Sequence, residues 1–150
     1  MRVYLVIMDE TAEARVALRF ASRRAAKTDG MVHILALVPP QEFVAFGGVQ
    51  ATIEEEARSR AEVLATSAAG NTFQESGRMP VIAVRQGDGE KVIREYLGEH
   101  AEVAALVLGA AGEGGPGPLI THFTAHAGSL PCPLFVIPGS MDDATVDRIS

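Results

Sequence analysis

The sequence predicts an α/β protein in which a parallel sheet is covered by helices on both faces. Short apolar runs, of which Val3–Met8 (VYLVIM) is the first, alternate along the chain with segments whose alanines and leucines recur at helical spacing. The runs are apolar at every position rather than at every second one, which is typical of strands buried on both faces of a parallel sheet. Strands joined through helices form such a sheet by right-handed crossovers.

Composition narrows the class of protein further. With 150 residues, 47% hydrophobic and 21% charged, the chain has the size of one globular domain, residues 1–150, ending in a polar tail, residues 139–150. Its net charge of −6 argues against nucleic acid as a partner, because binding to phosphates needs a basic surface. No uncharged apolar stretch reaches the roughly 18 residues of a membrane span, and no signal-peptide pattern opens the chain. Cys132 is the single cysteine, which excludes an internal disulfide, so we expect a cytoplasmic protein with no membrane partner.

The first half of the chain predicts two strands and two helices. After the first strand, Thr11 is placed to cap a helix that ends at Asp29. A second apolar run, Val32–Val38, stops at a proline pair and predicts the second strand. Thr52 and Glu55 have the spacing of a capping box, so a second helix is expected from there. The apolar positions of that helix are Ile53, Ala57, Ala61, Leu64 and Ala68.

The segment between the second strand and this helix, Gln41–Gln50, is predicted to be a loop rich in glycine and apolar residues. Its apolar part, Phe43–Val49, lies beside the predicted strand ends. Three interpretations stay open, in which the segment covers a ligand, contacts a protein partner or folds into the core.

The second half of the chain predicts three further strands separated by helices. The strands are Val81–Val84, Val103–Leu108 and Leu134–Ile137. A helix is predicted after Asp88, and its core-facing residues are Val92, Ile93, Tyr96 and Leu97. A glycine-rich loop, Gly109–Pro118, leads into a short helix, Ile120–His126. The tail after Pro138 either frays or forms a short helix.

Three segments should meet at the carboxyl ends of the strands, where ligands bind in open parallel sheets. They are Asp9 after the first strand, Val38 at the end of the second, and the loop that begins at Gly109. Asp9 has two interpretations. Its carboxylate accepts a hydrogen bond from an adenine amino group or a ribose hydroxyl, or it only helps Thr11 to start the helix.

The loop Gly109–Gly117 (GAAGEGGPG) is the most informative stretch for function. Glycines let a backbone curl around a ligand, and a helix N-terminus placed directly after them favours anions. One interpretation is therefore a phosphate cradle that leads into Thr121. The other is a flexible surface loop of turn residues. The stretch is not a Walker sequence, because it lacks the Gly-Lys-Ser/Thr ending.

Catalytic and metal-binding patterns are weak. The chain has no Gly-x-Ser-x-Gly elbow, and the acidic run Glu54–Glu56 points in different directions on a helix. His122 and His126 share a helix face, but no third ligand lies at a convincing spacing, so we expect no metal site. Cys132, between two prolines, is interpreted as a small buried residue. These patterns favour a regulatory or ligand-binding protein over a catalyst.

Taken in order, several of these pieces resemble the universal stress protein family over roughly residues 2–138. The matching pieces are the opening strand that ends at Asp9, the second strand that ends at Val38, the turn Arg85–Asp88 (RQGD), the strand and loop Val107–Gly112 (VLGAAG) and the closing Pro131–Ile137 (PCPLFVI). The resemblance implies a Rossmann-like, three-layer α/β/α fold with five parallel strands in the order 3-2-1-4-5. It also implies a homodimer, here formed through Leu134–Ile137, and bound ATP in some members.

The ATP-binding members of the family carry a Gly-x2-Gly-x9-Gly-Ser/Thr motif after the fourth strand. By this resemblance, Asp9 contacts the ribose or adenine side of a nucleotide, and the backbone of Val38 meets the adenine. Gly109 and Gly112 match the first two glycines of the motif and face ribose and phosphate.

The second half of the motif departs from the family pattern. When the chain is aligned on its closing prolines, Thr121 stands in the place of the hydroxyl residue, and Ile120 replaces the last glycine. Pro116 and Pro118 have no N–H to offer a phosphate, and Glu113 adds negative charge.

Two main hypotheses for the function follow. The first is a dimeric regulator that binds an adenine nucleotide (ATP, ADP or AMP) through Asp9, Val38, Gly109, Gly112 and Thr121. The second is a stress-response interaction module of the same fold, with an unidentified protein partner and no nucleotide. An enzyme such as a slow ATPase is a third reading, which has no base, nucleophile or metal cluster in its favour.

Overall fold

The computed structural model describes residues 1–40 and 47–150, with the backbone alone for residues 47–51. Its central sheet has five parallel strands, namely β1 Val3–Met8, β2 Met31–Val38, β3 Val81–Gln86, β4 Val103–Ala110 and β5 Leu134–Pro138. They lie in the order β3-β2-β1-β4-β5, which confirms the order that the family resemblance implies. β1 is therefore the central strand, with β2 and β4 on its two sides.

Helices cover both faces of this sheet. They are α1 Ala12–Thr28, α2 Gly47–Ser76, α3 Gly89–Glu99, α4 Pro118–Ala125 and α5 Asp143–Ile149, with a 3-10 turn at Ala127–Ser129. β1 shows both layers, because alternate side chains of a strand point to opposite faces. Its even-numbered side chains pack with α1, and its odd-numbered ones pack with α3 and α4. The predicted three-layer α/β/α architecture is thus confirmed.

The capping signals in the sequence are confirmed at both ends of α1. Thr11 Oγ1 accepts a hydrogen bond from the Ala14 N–H at 3.2 Å. Asp29 ends the helix in the left-handed conformation, at φ 52°, where its N–H donates to the Ala25 carbonyl. α3 begins in the same way at Asp88, and its four predicted inward residues are buried.

Several boundaries differ from the sequence prediction. α2 begins at Gly47, so the prediction of a loop over Gln41–Gln50 is wrong for residues 47–50. Glycine disfavours helix by about 1 kcal/mol, a preference that tertiary context overrides. α4 begins at Pro118 rather than Ile120, because the fixed φ of proline suits a first helical turn. β3 and β4 each continue two residues further than predicted. The apolar residues 43–46 lie outside the described part of the chain.

The polar tail forms a helix and packs against α1. Val146 of α5 is fully buried among the side chains of the α1 layer. On the rim of this contact, Arg19 Nε donates to the Asp147 carboxylate at 2.9 Å, and Arg23 lies 3.3 Å from the same carboxylate. The hydrogen bond from Arg19 lowers the pKa of Asp147. The buried Val146 and the ion pairs of Asp147 therefore attach the tail to α1.

A buried polar pair lies near the amino ends of the strands, away from the predicted site. His33 of β2 is 5% exposed, and its Nδ1 lies 2.8 Å from the hydroxyl of Tyr96 on α3. The ring of His100 stacks on Tyr96, and the Arg85 guanidinium lies 5.0 Å from the centroid of the Tyr96 ring. Burial lowers the pKa of His33 and raises the pKa of Tyr96. Both groups are therefore neutral near pH 7.

Candidate functional site

Two clefts open at the carboxyl ends of the strands, and Asp9 lines both of them. The β4 cleft has a volume of about 170 Å³ and is lined by Ile7, Asp9, Thr11, Glu13, Ala14, Leu108, Gly109, Gly117, Pro118 and Leu119. The β2 cleft has a volume of about 230 Å³ and is lined by Asp9, Glu10, Leu37, Pro39, Ala57, Arg60, Ala61 and Leu64. The structure thus brings together Asp9 and the start of the glycine loop, as the topology predicts.

Asp9 makes the contacts that its capping interpretation predicts. Its Oδ1 accepts hydrogen bonds from the Thr11 N–H, at 2.9 Å, and from the Thr11 hydroxyl. These bonds orient Thr11 for its capping role. Oδ2 makes no hydrogen bond with the residues that the structure describes. One oxygen therefore supports the start of α1, and the ligand interpretation, which would use the other oxygen, stays a prediction.

Gly109 has a structural reason to be glycine that the sequence does not reveal. A Cβ at this position would overlap the backbone carbonyl of Glu13 in the first turn of α1. The end of β4 and the start of α1 therefore approach each other so closely that no side chain fits between them. A requirement for glycine at Gly109 follows from packing alone, whether or not a ligand binds.

The rest of the glycine loop is open to solvent. Gly114, Gly115 and Gly117 have φ values of 74°, 90° and 104°, in the region that favours glycine. The Ala111 N–H donates to the Pro116 carbonyl at 3.2 Å and closes the loop on itself. Gly112, by contrast, has an ordinary φ and room for a methyl group, because the nearest atom to an added Cβ would be 3.7 Å away.

Val38, Gly112 and Thr121 lie outside the lining of the two clefts. Val38 is fully buried, and its carbonyl accepts a hydrogen bond from the Gly87 N–H at 3.1 Å. The Thr121 hydroxyl donates at 3.1 Å to the carbonyl of Gly117, the N-cap residue of α4. A ligand that used this hydroxyl as a donor would have to displace that bond.

Two residues that no motif in the sequence marks also line the clefts, namely Glu13 in the β4 cleft and Arg60 in the β2 cleft. Arg60 precedes Ala61 and follows Ala57 by three residues. Helical spacing therefore places it beside the apolar stripe of α2, and this pattern could have predicted its position at the cleft. Glu13 lies in the first turn of α1, four residues after Asp9, and lines the β4 cleft, where its backbone carbonyl and Cβ pack against Gly109. No lysine, arginine or histidine is among the described residues that line the β4 cleft.

The histidine pair and the cysteine have partners in the α3–α4 layer. The rings of His122 and His126 stack with centroids 4.5 Å apart. The nitrogens of His122 lie 3.2 Å from the Glu90 carboxylate and 3.3 Å from Arg94. No cluster of three metal-ligating residues occurs in the described ranges 1–40 and 47–150. Cys132 is half-buried, and burial raises the pKa of its thiol.

Within the described ranges 1–40 and 47–150, none of the helices has the length and hydropathy that crossing a bilayer requires.

Comparison with known proteins gives a family and a set of similar folds. The model of the Universal stress protein family matches residues 1–138. The universal stress protein UspA from Lactobacillus plantarum has a TM-score of 0.76 at 19% identity, over 91% of this chain and 97% of that one. An Arabidopsis thaliana universal stress protein family protein with AMP bound has a TM-score of 0.63 at 17% identity, over 92% of each chain. A universal stress protein in complex with cAMP has a TM-score of 0.62 at 12% identity, over 93% and 98%. No curated protein matches the chain.

Proposed function

The chain belongs to the universal stress protein family, and from this premise we propose that it is a regulatory protein that binds an adenine nucleotide beside Asp9. The observation that carries the proposal is the position of Asp9 between two clefts, with an Oδ2 that no described residue hydrogen-bonds. β1 is the strand at which the strand order changes direction, and ligands of open α/β sheets bind at such a point. The AMP and cAMP complexes of proteins with the same fold support the choice of an adenine ligand.

In the proposed complex, Asp9 accepts a hydrogen bond from a ribose hydroxyl. The backbone of Val38 meets the adenine, while Gly109 and Gly112 bring the backbone close to the ribose and the first phosphate. Thr121 offers a hydroxyl if its bond to Gly117 is released. We propose binding rather than catalysis, because Thr11 and Asp9, the hydroxyl and carboxylate that contact each other beside the clefts, are engaged in starting α1. The single cysteine is consistent with a cytoplasmic location.

Titration calorimetry of nucleotide-free protein with AMP, ADP and ATP tests this function. We expect saturable binding of at least one nucleotide, and an affinity at least about tenfold lower in Asp9→Asn, since a hydrogen bond to a charged group contributes about 1.5–3 kcal/mol. Asparagine keeps an oxygen for Thr11 and replaces the free oxygen with an amide that cannot accept.

The matched control is Asp29→Asn, at the opposite end of α1. Asparagine tolerates the left-handed conformation of Asp29, so this variant should bind as the wild type does. Equal affinities of wild type and Asp9→Asn would contradict the proposed site. Absence of heat with every nucleotide, together with unchanged melting temperatures, would contradict the function itself.

The second candidate is an interaction module that binds no nucleotide. It is favoured by the internal hydrogen bond of the Thr121 hydroxyl and by Pro118, which removes an N–H from the first turn of α4. The protein partner of such a module would remain to be identified, and the apolar segment Phe43–Val49 is the candidate contact. A slow ATPase, the enzymatic alternative, would show as ADP formed during the ATP titration.

We also propose a homodimer through β5. Leu134–Ile137 lies in an edge strand, whose outer backbone groups and the 39% exposed Val136 are open to pairing. Light scattering at micromolar concentration should give about twice the monomer mass of 15.8 kDa. Val136→Asp should give the monomer. The matched control is Ile82→Asp on β3, the other edge, which is 40% exposed. A wild-type mass of 15.8 kDa, or dissociation by the Ile82 variant alone, would contradict this interface.

A further inference from the structure

Helix α1 concentrates basic residues in a chain whose net charge is −6. Of the thirteen lysines and arginines of the chain, this helix holds Arg15, Arg19, Arg23, Arg24 and Lys27. All of these except Arg24 recur at every fourth residue and form one ridge of the helix, which we call the basic ridge. Like charges at that spacing repel each other, so the ridge favours an acidic partner. Glu75 of α2 lies 3.4 Å from Arg19 and 3.0 Å from Arg23 and neutralises part of this charge.

The tail helix α5 is an acidic partner that already lies on the basic ridge. Its Asp147 accepts hydrogen bonds from Nε and Nη2 of Arg19, both at 2.9 Å, and lies 3.3 Å from Arg23. Lys27 Nζ donates to the Asp147 carbonyl at 2.7 Å, near the C-terminal end of α5, where backbone carbonyls attract a cation. Val146, one position earlier, is fully buried among the apolar residues of the α1 layer. The ridge therefore binds a helix through carboxylates and one apolar anchor together.

Helix α5 is a short addition to the part of the chain that defines the family. The family match ends at residue 138, whereas α5 spans Asp143–Ile149. All five strands and helices α1 to α4 lie within the matched region, so release of α5 would remove none of them. An isolated helix of this length is unstable in water, so the contacts with α1 are what stabilise α5.

The basic ridge and its surroundings extend beyond the helix that covers them. Arg15 makes no ion pair within the described part of the chain. Beside it, a groove of about 530 Å³ runs between α1 and α2, with Asp143 from the first turn of α5 at its edge and the polar side chains of Ser67 and Asn71 on the α2 side. A helix longer than α5 would therefore reach one more cation and further hydrogen-bonding groups.

We propose that the basic ridge is a docking surface for an acidic amphipathic helix of a protein partner, and that α5 occupies this surface as an internal counterpart of that helix. The partner helix has carboxylates four residues apart, as Asp143 and Asp147 are, and an apolar residue in the position of Val146. A polyphosphate matches the charge of the ridge but has no apolar group for the site that Val146 fills. None of the ridge residues is among the described residues that line the two clefts, so this inference does not depend on nucleotide binding.

The test uses the full chain and, as the probe, a fluorescently labelled peptide of residues 139–150 (GSMDDATVDRIS), with binding measured by fluorescence anisotropy. Val146→Asp releases the tail by placing an unpaired carboxylate in an apolar site, and Asp147→Lys releases it by repulsion from Arg19. We expect both variants to bind the peptide at least about tenfold more tightly than the wild type, whose own tethered tail fills the surface. The matched control is Ile149→Asp, the same kind of change at a residue 44% exposed, which should behave as the wild type does.

A second set of variants tests the basic ridge itself. Added to Val146→Asp, the change Arg19→Glu should lower the affinity for the peptide at least about tenfold, because it reverses the charge that Asp147 meets. Arg58→Glu makes the same charge change at an exposed position of α2 and should leave the affinity unchanged. A scrambled peptide of the same composition, in which the valine no longer lies between two aspartates at helical spacing, should bind at least about tenfold more weakly.

Circular dichroism and urea unfolding establish that each variant with a released tail is folded. If neither folded variant binds the peptide more tightly than the wild type, or if Arg19→Glu leaves the affinity unchanged, the inference is overturned. If the scrambled peptide and polyphosphate bind as tightly as the tail peptide, the ridge recognises negative charge alone, and the proposal of a protein helix is overturned. Tighter binding in both variants, lost in Arg19→Glu and with the scrambled peptide, supports the proposal.

Discussion

Alanine at Gly109 is expected to lower the free energy of unfolding by about 3 kcal/mol. The added methyl group overlaps the backbone carbonyl of Glu13, and backbone atoms cannot turn away as a flexible side chain can. This overlap can be removed only if the first turn of α1 moves away from the end of β4. That movement would also disturb the hydrogen bonds of Asp9 and Thr11, which start the same helix.

Urea unfolding of Gly109→Ala and Gly112→Ala checks this prediction. Gly112 is three residues further along the same loop, but an added Cβ there would make only an ordinary contact of 3.7 Å. We expect its alanine variant to lie within about 0.5 kcal/mol of wild type. Equal stabilities of the two variants would show that β4 and α1 tolerate a side chain between them.

This difference decides how the glycine loop can be probed. A loss of nucleotide binding in a Gly109 variant would report a disturbed fold as readily as a lost ligand contact. Gly112 is the informative position, because it can be changed without strain. A larger side chain there, such as valine, tests whether the backbone of the loop approaches a ligand.

Removal of the Tyr96 hydroxyl is expected to lower the free energy of unfolding by about 1–3 kcal/mol, since Tyr96→Phe leaves Nδ1 of buried His33 without its partner. The matched control is Tyr4→Phe. The Tyr4 hydroxyl bonds to Thr28 Oγ1 at 3.0 Å, but Thr28 also donates to the Arg24 carbonyl and so keeps a partner. Denaturant unfolding near pH 8 should therefore show a larger loss for the Tyr96 variant. A loss as large in Tyr4→Phe would contradict the special role of the His33 bond.

The same pair makes stability depend on pH. Burial, and then the neighbouring charge of His100, lower the pKa of His33 below its ordinary value, while Glu102 opposes the shift. In the unfolded chain, histidine binds its proton at about pH 6.5, so below that pH the unfolded state holds more protons than the folded one. The contribution of His33 is fully present above pH 6.5 and is lost as the pH falls toward the folded pKa. His33→Asn should therefore reduce the dependence of the free energy of unfolding on pH below about pH 6.5, as measured by urea unfolding at a series of pH values. An unchanged pH dependence would contradict the assignment of this effect to His33.

Much of this protein follows from local sequence. The apolar run Val3–Met8 specifies a strand buried on both faces, because each of its side chains needs an apolar neighbour wherever the sheet places it. The caps at Thr11 and Asp88 and the buried face of α3 depend only on residues within a few positions, so periodicity and side-chain chemistry suffice to locate them. The convergence of Asp9 and Gly109 follows from parallel topology.

The remainder depends on segments that are distant in sequence and close in space. His33 and Tyr96 are 63 residues apart in sequence, and Arg19 and Asp147 are 128 apart, yet each pair is in hydrogen-bond contact. No local sequence pattern predicts either pair. The need for glycine at Gly109 comes from the carbonyl of Glu13, which only the packing of α1 on β4 brings near. Composition reports the net charge of the chain, but the fold decides which charges face a ligand and which are paired elsewhere.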